Sequence, residues 1–156
     1  MKKTLKLSTL CLCMATMLHA NVSISSNSFQ EKVHLSEDGQ KTTEWLKADK
    51  IVPGTTIKYV NNLVNSGDKK ANHLVIKNPI PKNMQYIANT AQCKTVCSVR
   101  YSIDHGATFH TPEELYLAGE SGQRLAKASE YTDIMWVVES LDAKTESFVE
   151  YKAKLK

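Results

Sequence analysis

The stretch Val149-Glu150-Tyr151-Lys152-Ala153-Lys154-Leu155 places an apolar residue at every second position with a charged one between. A period of two belongs to an extended strand with one face buried and the other in water. The same alternation runs back through the chain: Ile134-Trp136-Val138, Val99-Tyr101-Ile103, Met84 to Ala91, and Leu74-Ile76 before Pro79 and Pro81 stop it. It is also present in Ile57, Tyr59 and Leu63, between Pro53-Gly54 and Asn65-Ser66-Gly67-Asp68. Helical periodicity is nearly absent. Upstream, Phe29 to Leu35 and Thr42 to Ala48 flank Glu37-Asp38-Gly39 as a further hairpin. About seven or eight short strands separated by turn formers predict an all-β, antiparallel sandwich rather than an α/β arrangement. Thr111-Pro112-Glu113-Glu114 has the cap, proline and acids of a helix start, but only Leu115 and Tyr116 stand between it and Leu117-Ala118-Gly119, room for one turn at most. Trp136 is expected at the centre of the core, on a strand between two others, enclosed by Ile57, Tyr59 and Leu74.

The amino terminus has the composition of a secretory signal. Lys2, Lys3 and Lys6 supply positive charge, Leu7 to Leu18 are largely apolar, and the small residue Ala20 precedes Asn21, so cleavage is expected between Ala20 and Asn21. The apolar stretch is too short to span a bilayer, and no later run approaches the length required, so no transmembrane segment is expected after cleavage. Cys11 and Cys13 are preceded by Leu10 and Leu12 rather than a small residue, which disfavours lipid attachment. The net charge of +4 belongs to the signal: losing Lys2, Lys3 and Lys6 leaves the remaining basic and acidic side chains nearly balanced. Such a domain has no electrostatic reason to seek nucleic acid or an anionic membrane.

From Pro53 to Tyr86 the landmarks form an ordered set. Pro53-Gly54 with Thr56 and Tyr59 open a strand, Asn65-Ser66-Gly67-Asp68 end it, Ala71 to Pro81 close on Pro79-Ile80-Pro81, and Met84 to Ile87 come next. Trp136, a turn near Leu141-Asp142 and an alternating strand from Phe148 complete the pattern. In these features the chain resembles the conserved-repeat domain of bacterial surface proteins, catalogued as domain of unknown function eleven. The resemblance spans roughly residues 45–156 and implies an immunoglobulin-like sandwich of the cell envelope with no assigned activity. The expected organisation is a signal peptide at 1–20, N-terminal strands or an extension at 21–44, and a single sandwich domain at 45–156. Asn61 departs from the pattern by standing where an apolar residue is expected, so its strand is near an edge or its amide is hydrogen-bonded inside.

Several motifs bear on chemistry. Ser102, Asp104, Gly106 and Thr108 fit an Asp-box, with Phe109 where tryptophan is usual; this is a hairpin device without a catalytic group. Cys93 and Cys97, the cysteines left after export, predict a disulfide closing a hairpin around Lys94-Thr95-Val96, in place of a metal or redox site. His34, His73, His105 and His110 lack ligand spacing, so no metal and no cofactor are expected. Gly119-Glu120-Ser121-Gly122 precedes Gln123, where a nucleophile elbow requires glycine, and Glu113-Glu114 reads as a solvated turn. The leading expectation is a non-catalytic module, not an enzyme, exported to the periplasm, cell surface or medium and serving a structural, adhesive or scaffolding role. Its partner would be an envelope or surface protein, with a glycan as the other ligand class. The alternative is a small periplasmic hydrolase or ligand-binding protein with a loop-assembled site.

Overall fold

Val149, Tyr151 and Ala153 are buried, and Glu150, Lys152 and Lys154 occupy the opposite face of their strand, as a period of two requires. The computed structural model describes residues 20–119 and 122–156. The signal segment at 1–19, with Cys11 and Cys13, and Glu120 and Ser121 of the polar loop lie outside the described residues. Among the described residues the chain forms β1 (Val22–Leu35), β2 (Lys41–Lys47), β3 (Thr56–Asn65), β4 (Ala71–Pro79), β5 (Met84–Tyr86) and β6 (Gln92–Cys93). It continues through β7 (Cys97–Ser102), β8 (Tyr116–Gly119), β9 (Gly122–Leu125), β10 (Asp133–Leu141) and β11 (Thr145–Leu155). Two 3-10 turns, Pro112–Glu114 and Ala128–Glu130, are the helical pieces among the described residues, the first where one turn was expected. None of the described helices is long and apolar enough to cross a membrane.

The strands build a six-stranded sheet in the order β2-β1-β3-β11-β5, with β6 also on β11, and a three-stranded sheet β4-β10-β7. Every pairing in them is antiparallel. The fold is therefore all-β and sandwich-like. β10 is the middle strand of the smaller sheet, and it buries Ile134, Trp136 and Val138 completely. Leu63 and Ile57 from β3 and Val149, Tyr151 and Ala153 from β11 meet them in one cluster, against which Tyr59 and Leu74 pack from its margin. The Trp136 and Tyr151 ring centroids are 6.1 Å apart.

Among the described residues eleven strands stand where seven or eight were expected, for two local reasons, and one expected strand is longer than its pattern. The run from Met84 to Ala91 breaks after Tyr86: Asn89 takes φ 61°, Thr90 Oγ1 donates to the Ile87 carbonyl, and the Ala91 amide donates to Tyr86 Oη. The chain then rejoins β11 as β6. Tyr116–Gly119 and Gly122–Leu125 pair as the separate two-stranded β8–β9 sheet, which has little alternation to betray it because most of its described residues are exposed. β1 begins at Val22, well before Phe29, although Ser23 to Ser28 is almost devoid of apolar residues. The smaller sheet does not reach over Ser23 to Asn27, so even Ile24 is 53% exposed and this part of β1 has no buried face to imprint a pattern.

Two buried amides organise the interior. β3 is an inner strand, so the hydrogen-bonded alternative for Asn61 is the one realised: its Oδ1 accepts from Ser26 Oγ at 2.7 Å and its Nδ2 donates to Asn78 Oδ1 at 3.1 Å, joining the two sheets. Asn65, fully buried, is a larger hub. Its Nδ2 faces the carbonyls of Lys69 (2.8 Å), Leu141 (3.1 Å) and Asp142 (3.1 Å), while its Oδ1 accepts from the amides of Gly67 (3.1 Å) and Asn21 (3.3 Å).

Candidate functional site

Because Ile57, Tyr59, Asn61 and Leu63 face the core, the alternate residues of β3 face out, and the register then selects their neighbours. Lys58 stands opposite Phe29 on one side and Lys152 on the other, and Phe29 stands opposite Lys47. A row Lys47, Phe29, Lys58, Lys152 thus crosses β2, β1, β3 and β11 on the open face of the larger sheet. Trp45, on the same face and two residues from Lys47, receives two of the row's ammonium groups: Lys58 Nζ is 4.6 Å and Lys152 Nζ 5.0 Å from its ring centroid. Lys58 Nζ is also 5.8 Å from the Phe29 centroid. Like charges directly opposite in a sheet repel. None of the ion pairs among the described residues includes Lys47, Lys58 or Lys152, so the aromatic rings are what hold this half-buried pair, at about 0.5–1 kcal/mol per contact or somewhat more. The sequence reading missed this cluster.

The Asp104 turn is closed upon itself. Asp104 Oδ1 accepts from Ser102 Oγ (2.6 Å) and the Thr108 amide (3.0 Å), and Oδ2 accepts from Thr108 Oγ1 (2.7 Å). Ser102 Oγ in turn accepts from the amides of Asp104 (3.2 Å) and Gly106 (2.9 Å). His105 and Gly106 both take the left-handed conformation, which at Gly106 (φ 80°) strains any side chain although a Cβ there would meet the Asp133 carboxylate only in ordinary contact. The Ser102 hydroxyl, together with the Thr108 amide and hydroxyl, holds the Asp104 carboxyl well below the usual aspartate range. Glu130 behaves alike: the Arg124 guanidinium grips both its oxygens at 2.6 and 2.7 Å, the Lys127 amide adds a third bond, and its carboxyl is drawn down to about 2.

No family model, curated protein or solved structure matches this chain. Geometry alone therefore bears on function. A shallow depression beside the Asp104 turn is lined by Asp104, His110, Glu114 and Tyr116, among others. Both of its carboxylates serve their own backbone, since Glu114 Oε2 accepts from the Thr111 amide and hydroxyl at 3.1 Å. His34 meets Glu44 across the exposed β1–β2 hairpin at 3.1 Å, and His73, His105 and His110 are exposed. Among the described residues, no three His, Cys, Asp or Glu side chains converge as a metal would require. Burial raises Tyr101 and Tyr151, with the Tyr86 hydroxyl at 3.1 Å reinforcing it at Tyr101, so both stay protonated as core residues.

Cys93 and Cys97 lie at disulfide distance with their Cα atoms 6.5 Å apart, inside the limit of about 7 Å for an unstrained bridge. The expected hairpin is not what they close. Cys93 is in β6 on the larger sheet and Cys97 begins β7 on the smaller one, so the bridge ties sheet to sheet. The loop between them is fixed from both sides, by Lys94 N to Phe148 O at 3.0 Å and Glu139 N to Val96 O at 3.1 Å.

Both the staple and the bound carboxylates have consequences in solution. Thiol labelling of the denatured, unreduced protein should find neither cysteine free, and the Cys93→Ser/Cys97→Ser variant should lose roughly 2 kcal/mol, the loop-entropy value for so short a ring. Two labelled cysteines would remove the staple. For the carboxylates, a folded pKa below the unfolded one means stability that is present above about pH 4 and lost as pH falls towards the folded value. Urea midpoints measured from pH 5 to pH 2 should therefore fall, and fall less steeply in Asp104→Ala/Glu130→Gln. Parallel curves would show that these bonds do not operate in solution.

Proposed function

We propose that this chain is an exported, non-catalytic envelope module that presents the open face of its larger sheet to a partner. The observation that carries this reading is the Trp45 cluster: two adjacent cations and two aromatic rings, displayed on strands braced by the core beneath them. The carboxylates of the Asp104 depression, each bound to its own turn, favour this over a hydrolase or a loop-assembled ligand site. Cleavage between Ala20 and Asn21 would leave a chain whose first residue is itself held in the fold. The Asn21 carbonyl accepts from the Ser66 amide at 2.9 Å and from Ser66 Oγ at 3.2 Å, and β1 begins at the next residue. The Cys93–Cys97 pair fits an oxidising compartment. The two-sheet arrangement and the turns after β3 and β10 suit an immunoglobulin-like member of the conserved-repeat domains. Intact mass of protein recovered from periplasm or medium should correspond to a chain starting at Asn21. That protein, immobilised, should capture an envelope component that Lys58→Gln/Lys152→Gln does not. Full-length chain retained in the cytoplasm would overturn export, a lipid-sized increment would restore the lipoprotein, and capture indifferent to the double substitution would move the binding face elsewhere.

A further inference from the structure

We infer that the face around Trp45 binds an acidic polysaccharide, with Lys58 and Lys152 taking its carboxylates and the indole packing against a sugar ring. This rests on the reading of the chain as a binding module and names its ligand. Adjacent strands are about 4.8 Å apart, so Lys58 and Lys152 are near neighbours and Lys47 lies two strands beyond Lys58, a line of cations of roughly 14 Å across the sheet. A polymer with a charge on each sugar, or on every second one, meets such a line repeatedly, whereas a single small anion engages only one end.

Three acids share this face, Glu31, Glu146 and Glu150; each stands off the lysine row along the strands, and none of the ion pairs among the described residues joins one to it. Glu150 holds the Gln92 side-chain amide at 3.0 Å. Glu31 stands opposite Trp45, one row along the strands from the lysines, and is in none of the ion pairs among the described residues. Beside the cations, the register sets Ser25 against Asn62 and places Ser23 and Asn27 on the same surface. Such neutral donors and acceptors suit the hydroxyls of a sugar chain. A pyranose also presents a face of C–H bonds, which packs on an aromatic ring, and the ammonium groups now held by that ring are the ones its carboxylates would engage. An acidic peptide is the weaker fit. Extended peptides bind by adding to a strand edge, and β3 and β11, which carry Lys58 and Lys152, are each paired on both sides there.

The arrangement also holds a repulsion that a ligand would relieve. Lys58 and Lys152 repel one another across the ladder while the rings attract them, two opposed terms of similar size, so removing one charge should leave the stability of the free protein little changed while binding weakens. A purely structural pair would give the reverse.

The test uses the mature secreted protein with polygalacturonate, alginate and polysialate as carboxylated polymers, a neutral galactan, and poly-L-glutamate. At least one carboxylated polymer should bind, more weakly as salt rises, and the galactan should not. Lys58→Gln and Lys152→Gln should each weaken binding about tenfold with little change in denaturation midpoint. Trp45→Ala should abolish it, with Trp45→Phe retaining part. The inference is overturned if no carboxylated polymer binds the folded protein, if the glutamine variants bind as tightly, or if poly-L-glutamate binds equally well without dependence on Trp45. Capture of an envelope protein with no polysaccharide binding would overturn the ligand and leave the binding module standing. Failure of both would remove the module as well.

Discussion

Trp136→Ala is expected to remove about 3–5 kcal/mol of stability, seen as a lower urea midpoint with little change in slope. The indole is 0% exposed, sits on the central strand of the smaller sheet, and faces Tyr151 and the β3 side chains across the interior. Truncation would delete the largest fully buried side chain and leave a cavity walled by residues on both sheets, which cannot collapse without dragging strands together. A loss of that size is a large part of the roughly 5–15 kcal/mol typical of a whole domain. Trp136→Phe should lose much less. The indole Nε1 is buried with no hydrogen-bond partner among the described residues, so phenylalanine gives up packing volume but no hydrogen bond. An alanine variant with the wild-type midpoint would show that β10 is not the core strand. Asp104→Ala supplies the contrast: it should fold normally, with a smaller fall in midpoint, because only a surface turn is loosened.

Asn65→Ala is expected to be nearly as damaging, at about 3–4 kcal/mol, by stranding buried polar groups rather than by opening a cavity. The amide satisfies the Leu141 carbonyl and the Gly67 amide in the interior, together with Lys69 and Asp142 at its margin. Alanine leaves these without partners, and a buried polar group so stranded costs about 1–3 kcal/mol. The same loss unties the β3–β4 connection from the β10–β11 turn, so hydrogen exchange should accelerate first at Gly67. N65D separates this from simple loss of packing. It keeps the acceptor but turns a carboxylate towards three carbonyl oxygens, which raises its folded pKa above the unfolded value. Its stability should be greatest below about pH 4 and decline as pH rises through the folded pKa, opposite in sign to the Asp104 and Glu130 contributions. A pH-independent N65D would show that the site is open to water.

The alternation of Ile134-Trp136-Val138 and Val149-Tyr151-Ala153 was legible because a half-buried strand has to repeat every two residues, and these strands meet that demand along most of their length. The Asp104 turn was legible because its bonds close within Ser102 to Thr108. Val22 to Ser28 was not. Its pairing is backbone hydrogen bonding to β3, and because Ser23 to Asn27 are all exposed, that pairing leaves little trace in the side chains. Asn61 was visible only as an exception, since the Ser26 and Asn78 that satisfy it come from other strands.

From the residues alone, then, came the strand-rich class, the core positions that lie on alternating strands and the Asp104 turn, all of which depend on burial or on neighbours a few positions away; Leu115, Ala126, Tyr131 and Leu141 of the core carry no such alternation. The tertiary structure alone decided the rest. It set Lys58 against Lys152 and Trp45 on an outward face where no burial constrains the residue order, placed Cys93 and Cys97 on different sheets, and gathered Asn21, Lys69, Leu141 and Asp142 around Asn65. Each of these depends on pairing between distant segments, and register, unlike burial, is a property of two strands that neither carries alone.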